Sequence, residues 1–358
     1  MTSEYPAGPS TGEDLYEPAG PAAGPKPEVP EDWNNHGAAR YAHGDFAGAT
    51  AAFDRALGLR PEYPEALNNR GIVRQGMGDT FGAVADFDRA LTLRPRYAEA
   101  LVNRAVSRMA AGDLAGALAD FDRAVGVRPD YADAYHGRAA ALHAWGDLDA
   151  ALTDYGRVLD LIPTEAAAPV HHLRAAVLVT QLKFADAVAE CTRALSIDPG
   201  FVMAYLSRGH ARYHLRDLGG LDDYQAAFRT DPAAAAVDVV RTVIRDLADE
   251  ETVLENCRKH IRICPDDVVA YGRRGLTLLL RGREADAARD FETMLRLSPD
   301  WEPHLALMVR TARDQTSGPG TVVGSVLRTG PVSAEISPSL TSGGTEGPDI
   351  FCNGRGPL

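Results

Sequence analysis

The 358-residue sequence contains no run of about 18 apolar residues, the length needed to cross a bilayer. Its nearest approach, around Leu276 to Leu280, is flanked by arginines. Met1 to Glu31 offers no basic start followed by an apolar stretch, so a secretory leader is not expected. Cysteine is sparse: Cys191, Cys257, Cys264 and Cys352 form no CxxC pair and no disulfide framework. These absences point to a soluble chain in a reducing compartment, the cytoplasm. Positive charge is short too. Lys26, Lys183 and Lys259 are the only lysines and the net charge is -13, which argues against nucleic acid and anionic membranes because phosphates are repelled. Catalytic signatures are missing: there is no GxSxG, HExxH or Walker loop. Gly318 to Gly324 is glycine-rich but has no helix after it to complete a phosphate cradle. The chain is expected to be no enzyme and to carry no cofactor.

What is present is a repeat. Prolines fall at Pro61, Pro95, Pro129 and Pro163, 34 residues apart each time, and continue at Pro199, Pro232, Pro265 and Pro299. Proline cannot donate to a continuing helix and its ring clashes with the preceding turn, so each one closes a unit. Inside the units Gly-Asp recurs, at Gly44-Asp45, Gly78-Asp79, Gly112-Asp113 and Gly146-Asp147. Glycine takes the left-handed conformation that ends one helix, and Asp caps the next. Each unit therefore reads as two antiparallel helices of roughly 14 residues, about 20 Å long at 1.5 Å per residue. The flanks, residues 1–31 and 315–358, are rich in Pro, Gly and polar residues without apolar periodicity, and are expected to be a disordered acidic arm and a disordered Gly/Ser/Pro-rich tail around an array over 32–314.

Small residues recur in the first helix (Gly37, Gly71, Ala105, Ala139, Ala175, Gly209, Gly275) and early in the second (Ala49, Ala83, Ala117, Ala151, Ala187, Ala287), with an aromatic four positions on (Phe53, Phe87, Phe121, Tyr155, Tyr224, Phe291). In residue types and spacing the segment from about 32 to 300 resembles the tetratricopeptide repeat family. That resemblance implies an all-α, right-handed superhelical solenoid of about eight helix pairs, with the first helices lining a concave face that takes extended peptides. The match is uneven. Two extra residues lie near Ala166 to Pro169, one is missing near Gly219-Gly220, the seventh unit from Ala235 to Asp267 keeps little of the pattern, and Glu302 to Arg313 reads as a solvating cap. Cys191 and Cys257 take the aromatic slot of their units, as core fillers.

Where the family usually has a buried aliphatic before the first small residue, this chain has arginine: Arg70, Arg104, Arg138, Arg174, Arg208 and Arg274. In the same six units the residue before the aromatic slot is acidic: Asp86, Asp120, Asp154, Glu190, Asp223 and Asp290. Both are missing together in the first unit, as His36 and Ala52. Joint gain and loss predicts structural ion pairs that touch, within a unit or across to its neighbour.

Asn35, Asn69 and Asn103, with Asn34 and Asn68 beside them, place amides at one-repeat spacing on the first helices. Such a row suits a peptide backbone, or satisfies neighbouring backbone groups. It is similar to the asparagine ladder of O-linked N-acetylglucosamine transferase. The same face then gains His136, His143, His172, His210 and His214, and further on Leu276, Leu279 and Leu280. His210 and His214 are four apart and share a helix face, but no third ligand is aimed at them, so no metal is expected. The carboxylate clamp by which some family members grip chaperone tails is not reproduced, since Glu99 and Ala38 stand in its cation and amide positions. The expected function is a protein–protein interaction scaffold or adaptor that holds an extended peptide or partner segment in the groove. The alternative is a regulatory subunit or module acting through flexible termini. Partner identity and oligomeric state are not encoded legibly.

Overall fold

A computed structural model describes residues 29–317, apart from position 218. The two terminal segments read as disordered lie almost wholly outside the described residues, although helix begins at Pro30 and runs to Ser317. Among the described residues there are seventeen α-helices, three short 3-10 segments and no strand. They run in pairs: α1 (Pro30–Ala42) with α2 (Phe46–Leu59), α3 (Pro64–Gly76) with α4 (Thr80–Leu93), α5 (Ala98–Ala110) with α6 (Leu114–Val127), and α7 (Ala132–Trp145) with α8 (Leu148–Leu161). The series continues with α9 (Ala168–Thr180) and α10 (Phe184–Ile197), α11 (Val202–Leu215) and α12 (Gly219–Thr230), α13 (Pro232–Asp246) and α14 (Glu250–Ile263), then α15 (Val268–Leu280) and α16 (Glu284–Leu297), before α17 (Glu302–Ser317). Each second helix also packs on the first helix of the next unit, so the hairpins stack in series through the first six units.

Local chemistry sets the turns. Gly44, Gly78, Gly112 and Gly146 have φ between 77° and 95°, a conformation that costs a side chain but not glycine. The Asp that follows accepts from the backbone N–H three residues on, at 2.8 Å for Asp45, 2.9 Å for Asp79 and Asp113, and 3.2 Å for Asp147. That bond satisfies one of the open donors at the helix start. Pro61, Pro95 and Pro129 sit in the turns between units, whereas Pro232 occupies the first position of α13, where its missing N–H costs nothing.

The core is a repeated contact of a small residue with a ring. Phe53, Phe87 and Phe121 are fully buried and Tyr155 nearly so, with Ala49, Ala83, Ala117 and Ala151 at 0% exposure beside them. A Cβ on Gly71 would lie 2.6 Å from the Phe87 ring, so the helices of that unit close on a bare backbone. Each such ring contributes about 1.5–3 kcal/mol by burial. Cys191 and Cys257 fill the same slot, buried, in the fifth and seventh units.

The irregular units depart where the pattern does. The two extra residues of the fifth unit are absorbed by a 3-10 turn at Thr164–Ala166. In the seventh, α13 packs chiefly on α17 and only weakly on its own partner α14. The cap therefore does more than solvate the last unit: Trp301, Leu305, Met308 and Ala312 join Phe228, Val240 and Val243 in one apolar cluster. No helix among the described residues is long and apolar enough to cross a membrane.

Two turns use a side-chain-bearing residue where the others use glycine: Leu182 at φ 59° and Arg216 at φ 60°. The Leu182 side chain is 73% exposed, so little packing offsets the left-handed conformation. Leu182→Gly is therefore expected to stabilise the protein by about 1 kcal/mol; an unchanged or lower denaturant midpoint contradicts this.

Candidate functional site

The six arginines and their carboxylates meet inside their own units. Arg70 donates through Nε and Nη2 to Asp86 at 2.8 and 2.6 Å, Arg104 to Asp120 at 2.8 and 2.5 Å, and Arg138 to Asp154 at 2.7 and 2.8 Å. Arg208 reaches Asp223 at 2.6–3.1 Å and Arg274 reaches Asp290 at 2.6–2.7 Å. Asp86, Asp120 and Asp154 are buried, at 2%, 1% and 6% exposure, and the planar fork of Arg is the group that satisfies both oxygens at once. The fifth unit differs. Arg174 stays 3.5 Å from Glu190 with its Nε unpaired, because His171 Nδ1 at 2.7 Å and Arg193 at 2.6 Å take the glutamate's oxygens.

The third guanidinium nitrogen points backwards. Nη1 of Arg70, Arg104 and Arg138 donates to Asp54, Asp88 and Asp122, on the second helix of the preceding unit, at 2.6, 2.6 and 2.8 Å. Sequence reasoning missed these three acids, although their 34-residue recurrence inside the FDRA segments was visible. A second arginine one turn on, Arg74, Arg108 or Arg212, also donates to the buried carboxylate, at 2.8, 2.6 and 2.8 Å. The acids that open the first helices are paired as well: Glu31 with Arg60, Glu65 with Arg94 and Glu99 with Arg128.

The asparagine row requires a correction. Asn69 and Asn103 are buried, at 0% and 3% exposure, and donate to Asn34 at 2.9 Å and Asn68 at 3.0 Å in the preceding unit. They lie in the seam between adjacent first helices and present no amide to the groove. Asn35, in the first unit, is exposed. Ser107 donates to Gln75 at 3.2 Å and closes the same seam one turn further on.

The seam continues with imidazoles. His172 Nε2 pairs with Ser207 at 2.9 Å in the same one-unit relation, and His143 Nε2 with Thr180 at 3.1 Å. His136 occupies the place of Asn34 and Asn68, but the residue facing it one unit on is Leu173, and its buried Nε2 has no partner. His136 lies edge-on to Tyr155, centroids 5.9 Å apart. His210 and His214 meet edge-on at 4.7 Å, and His214 stacks on Phe184 at 4.5 Å. No group of three or more His, Cys, Asp or Glu among the described residues is placed to hold a metal. Burial holds His136 and His143 below the ordinary imidazole value and pushes His172 down to about 4. His210 is lowered by burial and then by Arg273 and His214; His214 falls to about 4 through burial, Arg273 and His260. The leucines read as an apolar end of the groove belong to the core: Leu276 is 1% exposed, and Leu279 and Leu280 pack against the same cluster as α17.

Stacked hairpins of this length, with a small residue against a ring and Gly-Asp turns, are the geometry of one repeat type. The family model described as tetratricopeptide repeat matches residues 34–74, 69–126 and 102–167. Residues 34–167 are tetratricopeptide repeats. The fold is shared with PilW, a widely conserved type IV pilus biogenesis factor, at 20% identity over 57% of this chain and 94% of that one, with a TM-score of 0.53. It is shared too with a tetratricopeptide repeat protein from Parabacteroides merdae, at 16% identity over 79% and 98%, with a TM-score of 0.52. No curated protein matches the sequence. Within this tetratricopeptide array, first helices are joined by amide pairs in the first three units and by imidazole contacts in the next three.

Two outcomes follow. Arg104→Ala leaves the buried Asp120 with Arg108 as its hydrogen-bond partner, and is expected to cost about 1.5–3 kcal/mol; a double-mutant cycle with Asp120→Ala that gives no coupling refutes the pairing. The histidines make stability depend on pH. Their folded-state values lie below 6.5, so between about pH 6.5 and 4 the unfolded chain takes up protons that the native one refuses, and stability falls as pH falls through that window. Thermal unfolding followed from pH 7.5 to 5 should show this loss, and a His172→Gln/His214→Gln variant should lose less; parallel curves for the two proteins contradict it.

Proposed function

We propose that the protein is a non-catalytic interaction scaffold that holds an extended peptide or partner segment on the first-helix face of its fourth to sixth units. The observation that carries this reading is the succession of imidazoles along the first helices α7, α9 and α11, with His143 beside Thr180, His172 beside Ser207 and His210 beside His214. Burial keeps them uncharged near neutral pH. A neutral imidazole has one donor and one acceptor nitrogen and so can answer either group of a peptide bond. The unpartnered Nε2 of His136 supports the same reading, because a buried polar atom left without a partner is costly unless something supplies one. The amide-sealed units before it, with Asn69 and Asn103 already paired, serve as a stiff lead-in. A reducing, cytoplasmic setting fits the thiols of Cys191 and Cys257, which remain unpaired and buried.

Selection of displayed peptides on the full chain, followed by affinity measurement, tests the assignment. His136→Ala/His172→Ala/His210→Ala is expected to weaken the selected peptides by about tenfold or more, near 1.4 kcal/mol, with helical content retained. Asn69→Ala/Asn103→Ala should instead lower stability and leave the affinity of the folded fraction intact. Unchanged affinity in the histidine variant, or loss confined to the asparagine variant, overturns the proposal.

A further inference from the structure

The repeats act as controls for one another at a second site, on the other side of the arginine ladder. In the first, second, third and sixth units an arginine four residues beyond the ladder position faces the Asp that caps the second helix: Arg40–Asp45 at 2.9 Å, Arg74–Asp79 at 3.9 Å, Arg108–Asp113 at 3.8 Å and Arg212–Asp217 at 3.4 Å. In the second, third and sixth of these the same guanidinium bonds the buried carboxylate and a carbonyl at the start of the second helix, Gly82, Gly116 or Gly219 at 3.2–3.3 Å. In the fourth, fifth and eighth units leucine replaces it. In the fifth and eighth units that change is compensated, since Leu178 and Leu278 stand opposite Lys183 and Arg283 at the capping position. The fourth unit alone among the regular ones keeps the acid and loses the base: Leu142 stands with Asp147.

An open depression of about 450 Å³ lies at that place, lined by Asp122, Arg138, Leu142, Ala150 and Asp154 among others. Leu142, Ala150 and Asp154 are the counterparts of Arg108, Gly116 and Asp120, the three groups that hold the second guanidinium one unit earlier. Asp154 is 6% exposed and bonded only by Arg138, as Asp290 of the eighth unit is by Arg274, whereas Asp86, Asp120 and Asp223 each receive a further arginine nitrogen; what sets the fourth unit apart is that its capping Asp147 also stands without a base. Around the site Asp122, Asp147 and Asp154 have Arg138 alone, where Asp88, Asp113 and Asp120 have Arg104 and Arg108, with Arg123 a further 3.7 Å from Asp120.

We infer that this depression is a receptor for the guanidinium of an arginine side chain presented by a partner protein, which enters where the chain's own second arginine sits in the other units. Lysine fits less well, since in the other units Nη1 takes the buried carboxylate and the carbonyl while Nε of the same plane faces the capping Asp at 3.4–3.9 Å, a spread that one ammonium nitrogen does not cover. The site lies apart from the histidine stripe and stands or falls independently of it.

The probe is N-acetyl-arginine amide, titrated into the full chain while the methyl resonances of Leu118 and Leu142 are followed. The expected result is a saturating shift of both methyls, absent with the citrulline amide and smaller with the lysine amide. Leu142→Arg, which supplies the guanidinium from within, should abolish the response, and the exposed cap variant Asp147→Asn, which keeps the helix cap, should weaken it several-fold in a chain that remains folded. No shift in the wild type, equal shifts with the citrulline or lysine amide, or an unaltered response in Leu142→Arg each overturn the proposal.

Discussion

The stack depends on one guanidinium that must reach three helices at once. Arg70 ties Asp86 on α4 to Asp54 on α2 from its own place on α3, and Arg104 and Arg138 repeat the tie one and two units on. This is possible only because the helices of a unit close on glycine or alanine: with a larger residue at position 71, the Phe87 ring would have to move outwards and the fork would no longer span the gap. A buried carboxylate without its arginine is costly, so the fork holds each hairpin closed, while its third nitrogen reaches an exposed acid of the unit before it. The apolar contacts give the array its cohesion, and the arginine forks fix how one hairpin sits on the next.

That constraint explains which parts were legible in the sequence. A 34-residue period in proline, small residues and aromatics fixes the hairpins, because each of those residues acts within a few ångströms of its own chain. The pairing of Arg104 with Asp120 could be read for the same reason, since both belong to one unit and vary together. Asn69 and Asn103 were misplaced because period alone does not say which side of a helix meets the neighbouring helix and which meets solvent. Asn68 is one residue away from Asn69, a rotation of about 100° on a helix with 3.6 residues per turn. The two amides face opposite neighbours, and together they form the seam. The seventh unit was illegible for another reason. With Arg241 opposite Asn256 and Cys257 in the ring slot, it lacks the contact that draws two helices together, and α13 finds its apolar partner in α17 instead.

The seam also shows how one structural position can change chemistry along an array without changing shape. Asn34 with Asn69 and His172 with Ser207 are the same relation between neighbouring first helices. Between them the slot passes through Val102 and Gly137, then through His136 and Leu173. Each amide pair is closed by one donor and one acceptor, although Nδ2 of Asn68 is left without a partner. An imidazole opposite leucine is not complete, and burial holds it in the neutral form in which it can still give or take a hydrogen bond. The seam thus changes from closed to open at the fourth unit.

Both departures from regularity converge there. His136 lacks its seam partner on one side of α7, and Leu142 leaves Asp154 short of an arginine on the other. Drift that merely tolerates substitution would be expected to compensate the charge, as Lys183 does beside Leu178 and Arg283 beside Leu278. Asp147 is the capping acid that stays when its arginine goes. A unit that gives up a neutral polar contact and an ionic one, on two faces of a single helix, gains no stability from either change. Its neighbours show that the fold had satisfied alternatives at both positions, which makes α7 the element whose residues are best explained by something outside the chain.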